Sequence, residues 1–331
     1  MKPTIHRLAL TLVGALLTAQ VSHAGLYRPA LPGDSLLVPY PRSGSVGNES
    51  IHEFSSTGID LGTVVVGQTP RHGPTGIAVD QSSNFYVAYV NGGIIEKFSP
   101  TGTSLGIFAS GLAGPTGLAF DSTGNLYVSL QTAQTVEKFS STGTDLGVFA
   151  SDVGNLFNPN SLAFDTSGNL YVANRAILDG RIVKFSSTGT NLGVFANVTG
   201  GPVFANGLAF DSAGRLYASV RDNGEVQRFS AVGASLGTFA SNVGTPGGLA
   251  FDSAGNLYVA DSNEVPNATG NGRILEFSPT GTSLGTFANT GNDTWPTQGG
   301  GAIVFVPEPS ALMSLVMGAA TLLGFRRRRV E

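Results

Sequence analysis

The stretch Gly117 to Leu130, GLAFDSTGNLYVSL, followed by Thr135 to Ser151, TVEKFSSTGTDLGVFAS, decides the fold. It is the clearest copy of a unit of about 45 residues that recurs along the chain, and a period of this length marks a propeller or solenoid. Within it, Gly117 to Phe120 is a short apolar strand, and Asp121-Ser122-Thr123-Gly124-Asn125 is a turn whose Asp side chain caps backbone N–H groups. Leu126-Tyr127-Val128 reads as a second strand, Val136 to Phe139 as an alternating third, and Leu146 to Phe149, after a Ser-Thr-Gly-Thr turn, as a fourth. Four short antiparallel strands with no helical period between them are the content of one propeller blade.

The elements are counted separately. The second strand recurs at Leu36, Phe85, Leu126, Leu170, Leu216 and Leu257, and the Phe that ends the third strand recurs as Phe54, Phe98, Phe139, Phe185, Phe229 and Phe277. Both counts give six. The first strand is complete at Ile77, Leu118, Leu162, Leu208 and Leu249, but its sixth copy, Ile303-Val304-Phe305, stands at the far end of the repeats. The unit beginning at Ser35 lacks a first strand of its own. The sequence therefore predicts an all-β fold, a six-bladed β-propeller of four-stranded antiparallel blades, closed when Ile303 to Phe305 completes the N-terminal blade and covers its exposed edge.

Composition agrees: of 331 residues 46 are Gly, none is Cys, and 12% are charged. Disulfides and thiolate metal sites are excluded. The chain divides into a leader, residues 1–24, a lead-in, 25–34, the repeats, 35–306, and a tail, 307–331. The leader carries Lys2 and Arg7, an apolar stretch from Leu8 to Ala19 and Ser22-His23-Ala24 as a cleavage site, the pattern of a secretory signal peptide. The tail reads Pro307-Glu308-Pro309, an apolar run from Ala311 to Phe325, and Arg326 to Arg329. As a helix that run spans about 22 Å, short of the roughly 30 Å hydrocarbon core unless the arginines snorkel. These three elements in this order resemble the PEP-CTERM sorting tail of Gram-negative bacteria. The resemblance implies an exosortase-type processing enzyme as partner, transient contact with the inner membrane, and delivery to the cell surface or an exopolysaccharide matrix.

The formal net charge is −4, and setting aside Lys2 and Arg7, and Arg326 to Arg329 with Glu331, leaves −9. So acidic a domain argues against nucleic acid as partner, because phosphate backbones are held by clustered Lys and Arg.

The phrase Asn256-Leu257-Tyr258-Val259-Ala260-Asp261-Ser262, with Gly272 to Phe277 after it, resembles an NHL repeat. Similar blades occur in the regucalcin and gluconolactonase family and in virginiamycin B lyase-like proteins, folds that host hydrolases, lyases and binding proteins. In the lactonase-like relatives, Pro-Asn-Gly at the entrance to the first strand supplies metal ligands. Here the corresponding positions are Thr75, Thr116, Asn160, Asn206, Gly247 and Gly301. Asn160 and Asn206 alone match as ligands for Ca²⁺ or another divalent cation; the family's Glu has no counterpart, and affinity rises with the number of carboxylates. The other reading of both residues is that they satisfy loop backbone groups.

Just after the second strand, on the same rim, stand Tyr89, Gln131, Asn174, Arg175, Arg221, Asp222 and Asp261, which vary among otherwise uniform copies. They are candidates for a ligand surface, and exposed positions free of constraint vary in the same way. Arg175 and Arg221, in adjacent blades, suit an anionic ligand such as a uronic acid. His72 precedes the second blade and is the candidate general base; Trp295, the single Trp, is a candidate for stacking on a sugar. Asp80, Asp121, Asp165, Asp211 and Asp252 occupy one repeated turn and read as turn-formers. No Ser nucleophile elbow, HExxH helix, phosphate-cradling Gly loop or EF-hand loop is present. The expectation is a surface or matrix propeller that binds exopolysaccharide or protein without a cofactor; the alternative is a lactonase- or lyase-like enzyme with a channel cation.

Overall fold

The computed structural model describes residues 35–40, 50–66, 73–151, 156–175, 180–200, 204–262, 272–289 and 302–306. These form six four-stranded antiparallel sheets. Blades II to VI begin at Pro74, Pro115, Pro159, Ala205 and Pro246, and each runs its four strands in chain order. Blade I is built from both ends: Ser35–Tyr40, Ser50–Phe54 and Asp60–Val66 are joined by Val304–Val306 as the innermost strand. Leu36 pairs with Phe305 and Leu37 with Val304, so the ring closes as the repeat count requires. Phe305 faces Leu36 as Phe120 faces Leu126, so the closing strand takes the register of the other first strands. Ile303, just ahead of the paired residues, packs in the core beside Leu36, Val38 and Ala260.

One aromatic arrangement joins neighbouring blades. The ring of Tyr127, on the second strand of blade III, meets Phe149 of its own outer strand at 4.7 Å and Phe164 of blade IV at 4.9 Å, both edge-on. Tyr86, Tyr171 and Tyr217 make the same pair of contacts, and Tyr258 meets Phe287 and the closing-strand Phe305. Each such pair contributes about 0.5–1.5 kcal/mol beyond burial. Blade I has Leu37 at the tyrosine position, and Leu37 is buried in one cluster with Val65, Ile77 and Val87 and with the rings of Phe85, Tyr89 and Phe98 of blade II.

The repeated aspartates are turn-formers, as read. Asp121 Oδ1 accepts the backbone N–H groups of Thr123 and Asn125 at 2.9 Å, while Oδ2 accepts Asn125 Nδ2 at 2.9 Å and the Tyr127 hydroxyl at 3.1 Å. Lys138 Nζ lies 3.6 Å from the same carboxylate and 4.9 Å from the Tyr127 ring centre. Burial alone would raise the Asp121 carboxyl, but these hydrogen bonds outweigh it and hold the group below the usual carboxylate range. Burial, then the charge of Asp121, pushes the Tyr127 phenol up, so it stays protonated as a donor.

The outermost strand of each blade is an edge, and its sequence blunts it. In blade IV, Asn191–Asn197 pairs with Arg181–Phe185 through Val183 to Val194 and Phe185 to Asn191, a bulge with Gly193 as the additional residue. Gly193 sits at φ +90°, its N–H held by Asn191 Oδ1 at 2.7 Å. Such bulges twist an edge away from a second strand. Among the described residues no helix is long and apolar enough to cross a membrane; the apolar tail lies outside them.

Candidate functional site

The ends of the second strands lie beside the starts of the first, since Pro115 pairs with Leu130, Pro159 with Asn174 and Pro246 with Asp261. The channel entrance and the rim candidates therefore share one face. The channel holds a cavity of about 110 Å³, and Thr75, Thr116, Asn160 and Asn206 are its principal polar lining.

These four side chains form a chain of hydrogen bonds from blade to blade. Thr75 Oγ1 donates to Pro115 O at 3.2 Å, and Thr116 Oγ1 to Pro159 O at 2.9 Å. Asn160 Nδ2 donates to Asn206 Oδ1 at 2.6 Å, and Asn206 Nδ2 to Pro246 O at 3.3 Å. Ala302 N–H reaches Thr75 O at 3.4 Å across the closing seam. Each second-position side chain thus reaches the next blade, and the repeated proline there places a carbonyl, with no N–H of its own, to receive most of them. Two serines add to the ring. Ser129 Oγ donates to Asn160 O at 2.5 Å and Ser219 Oγ to Gly247 O at 2.6 Å. Sequence reasoning missed both. The visible signal was that Ser129 and Ser219 replace Ala88, Ala173 and Ala260 at the same strand position.

A divalent cation, implied by the lactonase-like resemblance, does not fit this donor set. Among the described residues the cavity lining contains no carboxylate, and Asn160 and Asn206 are buried with their amides bonded to each other. Among the described residues no cluster of three or more His, Cys, Asp or Glu is placed to hold a metal.

The rim candidates separate into struts and surface groups. Asp261 is fully buried; its Oδ1 accepts Thr245 N–H at 2.9 Å and its Oδ2 accepts Arg273 Nε at 2.8 Å. Asn174, at the matching position, is equally buried and accepts Phe157 N–H at 2.6 Å. Tyr89 is buried among Ile77, Val87 and Phe98. All three hold the loop that enters a first strand or the core beneath it. Gln131 is half-buried, its backbone N–H bonded to Gly114 O at 2.9 Å. Arg175 and Arg221 are half-buried and Asp222 is exposed. Burial, then the charge of Arg221, lowers the Arg175 guanidinium, and Asp222 opposes the shift. The charges of Arg221 and Asp222 thus act on Arg175 in opposite senses. His72, Trp295 and Pro307-Glu308-Pro309 lie outside the described residues.

No family model and no curated protein sequence matches the chain. Solved structures do match. A chain of the nidogen/laminin complex superposes with a TM-score of 0.67 at 18% identity, over 83% of this chain and 99% of that one. A Bacteroides caccae protein of unknown function gives 0.64 at 13%, over 83% and 100%. A gluconolactonase from Xanthomonas campestris gives 0.56 at 18%, over 80% and 89%. At these identities the likeness is one of fold.

Proposed function

We propose that this chain is an exported propeller that binds a ligand at the cell surface or in the extracellular matrix, and does not turn it over. An exosortase-type enzyme acting near Pro307-Glu308-Pro309 would release it from transient inner-membrane contact, and exopolysaccharide or surface proteins are its partners. One observation carries the binding reading: the residues at the metal-ligand positions of the lactonase-like blades serve here as blade-to-blade hydrogen bonds. A propeller whose channel polar groups are tied up in this way keeps its rigid rim and has little left at the centre for Lewis-acid chemistry.

The second reading is a lactone hydrolase, favoured by the likeness to the gluconolactonase fold. Hydrolysis of gluconolactone by the purified protein, with Ca²⁺, Mn²⁺ or Zn²⁺ supplied in turn, separates the two. The expected result is the rate of buffer alone with each ion. A metal-dependent rate that Asn160→Ala or Asn206→Ala removes would overturn the binding reading.

A further inference from the structure

Blade I carries, on its two outermost strands, three side chains that no other blade has together. In the pairing of Ser50–Phe54 with Asp60–Val66, His52 stands opposite Thr63, and Asp60 stands opposite Phe54. The three side chains form a hydrogen-bonded row. His52 Nδ1 lies 3.4 and 3.3 Å from the two carboxylate oxygens of Asp60, and Thr63 Oγ1 lies 3.1 Å from His52 Nε2. A carboxylate only accepts, so in the neutral ring Nδ1 carries the hydrogen and Nε2 is the acceptor for the Thr63 hydroxyl. Asp60 is itself held in place, because its Oδ1 accepts the Gly62 N–H at 2.7 Å. Thr63 is exposed on the outer edge of the blade. The same register positions in the other blades pair Glu96 with Ile107, Glu137 with Val148, Val183 with Val194, Gln227 with Thr238 and Leu275 with Thr286. Thr238 and Thr286 thus repeat Thr63, equally exposed, without the histidine. Pairing of the outer strands does not require the trio.

An alcohol bonded to one nitrogen of an imidazole, whose other nitrogen is held by a carboxylate, has the geometry of an activated nucleophile. We propose that Thr63 is an acyl-acceptor site for a neutral activated ester, with His52 as its general base and Asp60 as the residue that positions His52. In the step, Thr63 Oγ1 bonds to the carbonyl carbon of the ester while its proton passes to His52 Nε2. The bond from that carbon to the leaving oxygen then breaks, and His52 returns the proton to the departing oxygen. The alcohol leaves, and Thr63 remains as the new ester. A neutral donor suits the site better than an acyl phosphate, because Asp60 stands in it and the domain as a whole is acidic.

The test exposes the full-length chain to p-nitrophenyl acetate and locates the acetyl group by peptide mass spectrometry. Thr63 is expected to be acetylated at least about 100-fold faster than Thr238 or Thr286, the lower end of what a positioned base contributes. The repeat thus supplies the controls within one molecule. His52→Gln, which gives blade I the residue that faces Thr238, should bring Thr63 down to the rate of those two threonines. Thr63→Ser should keep the label, since the hydroxyl and its partner remain. Asp60→Asn should slow the labelling and move the imidazole hydrogen off Nδ1, a change of tautomer that the ring nitrogen chemical shifts report by NMR. A purely structural aspartate would leave that tautomer as it is. Equal labelling of the three threonines, an acetyl group on His52 or on lysines with none on Thr63, or a Thr63 rate unmoved by His52→Gln would each overturn the site.

Discussion

Gly189→Ala is expected to destabilise the protein by about 3–5 kcal/mol, and Gly193→Ala, four residues away, by no more than about 2 kcal/mol. Both glycines lie in the left-handed region, at φ +85° and +90°, so the conformational cost of a Cβ is shared, about 1–2 kcal/mol. Their surroundings differ. A Cβ on Gly189 would stand 2.2 Å from Phe149 O in the preceding blade, whereas a Cβ on Gly193 meets nothing within 4 Å. The turn holding Gly189 is fixed by Ser186, whose Oγ accepts Thr188 N–H at 3.3 Å and Thr190 N–H at 3.0 Å, so it cannot retreat without giving up those bonds. Nor can Phe149 move freely, since its ring packs on Tyr127. Urea titration of the two variants against the parent reads the difference directly. Equal losses would mean that the turn does not press on the neighbouring blade.

Removing residues 301–331 is expected to abolish cooperative unfolding, or to lower stability by more than any single substitution. Without Val304–Val306 the strand Ser35–Tyr40 becomes a bare inner edge, Tyr258 loses Phe305 at 5.0 Å, and the core around Leu36 and Val38 opens to water. The control restores the segment at the other end. Residues 302–306 placed ahead of Ser35, joined by a copy of the turn Asp252–Asn256, give blade I the hairpin that the other blades have. This permutant is expected to unfold in a single cooperative transition at the parent's midpoint, followed by circular dichroism. A truncated chain that melts as the parent does would show that closure contributes nothing.

Much of the architecture was legible because each blade repeats the same physical solution. The strand pattern, the Asp turns and the missing first strand at Ser35 follow from period, turn chemistry and counting, and the closing strand pairs in the register that the repeat gives it. The site was less legible. Asn160 and Asn206 were recognised as channel residues, but whether an amide faces a cation or the next amide depends on a 2.6 Å contact between residues 46 positions apart. Asp261 stands at a variable position of the repeat and looks like a rim group; it is buried because Arg273, on the adjacent strand, comes back to pair with it. Phe157 carried no periodic signal at all, since it sits in an irregular lead-in where copies of the unit differ most in length. Repeats expose what the blades have in common, and the proposed ligand surface lies where they differ.

The central claim is that the channel is held by hydrogen bonds in place of a metal. It is tested most directly by the thermal unfolding midpoint in EDTA and in millimolar Ca²⁺. A cation present at a hundredfold its dissociation constant stabilises a fold by about 2.7 kcal/mol. The same midpoint in both buffers is the predicted result. A clear rise on adding Ca²⁺, lost in Asn160→Ala and Asn206→Ala, would contradict the account and return both residues to the role of metal ligands.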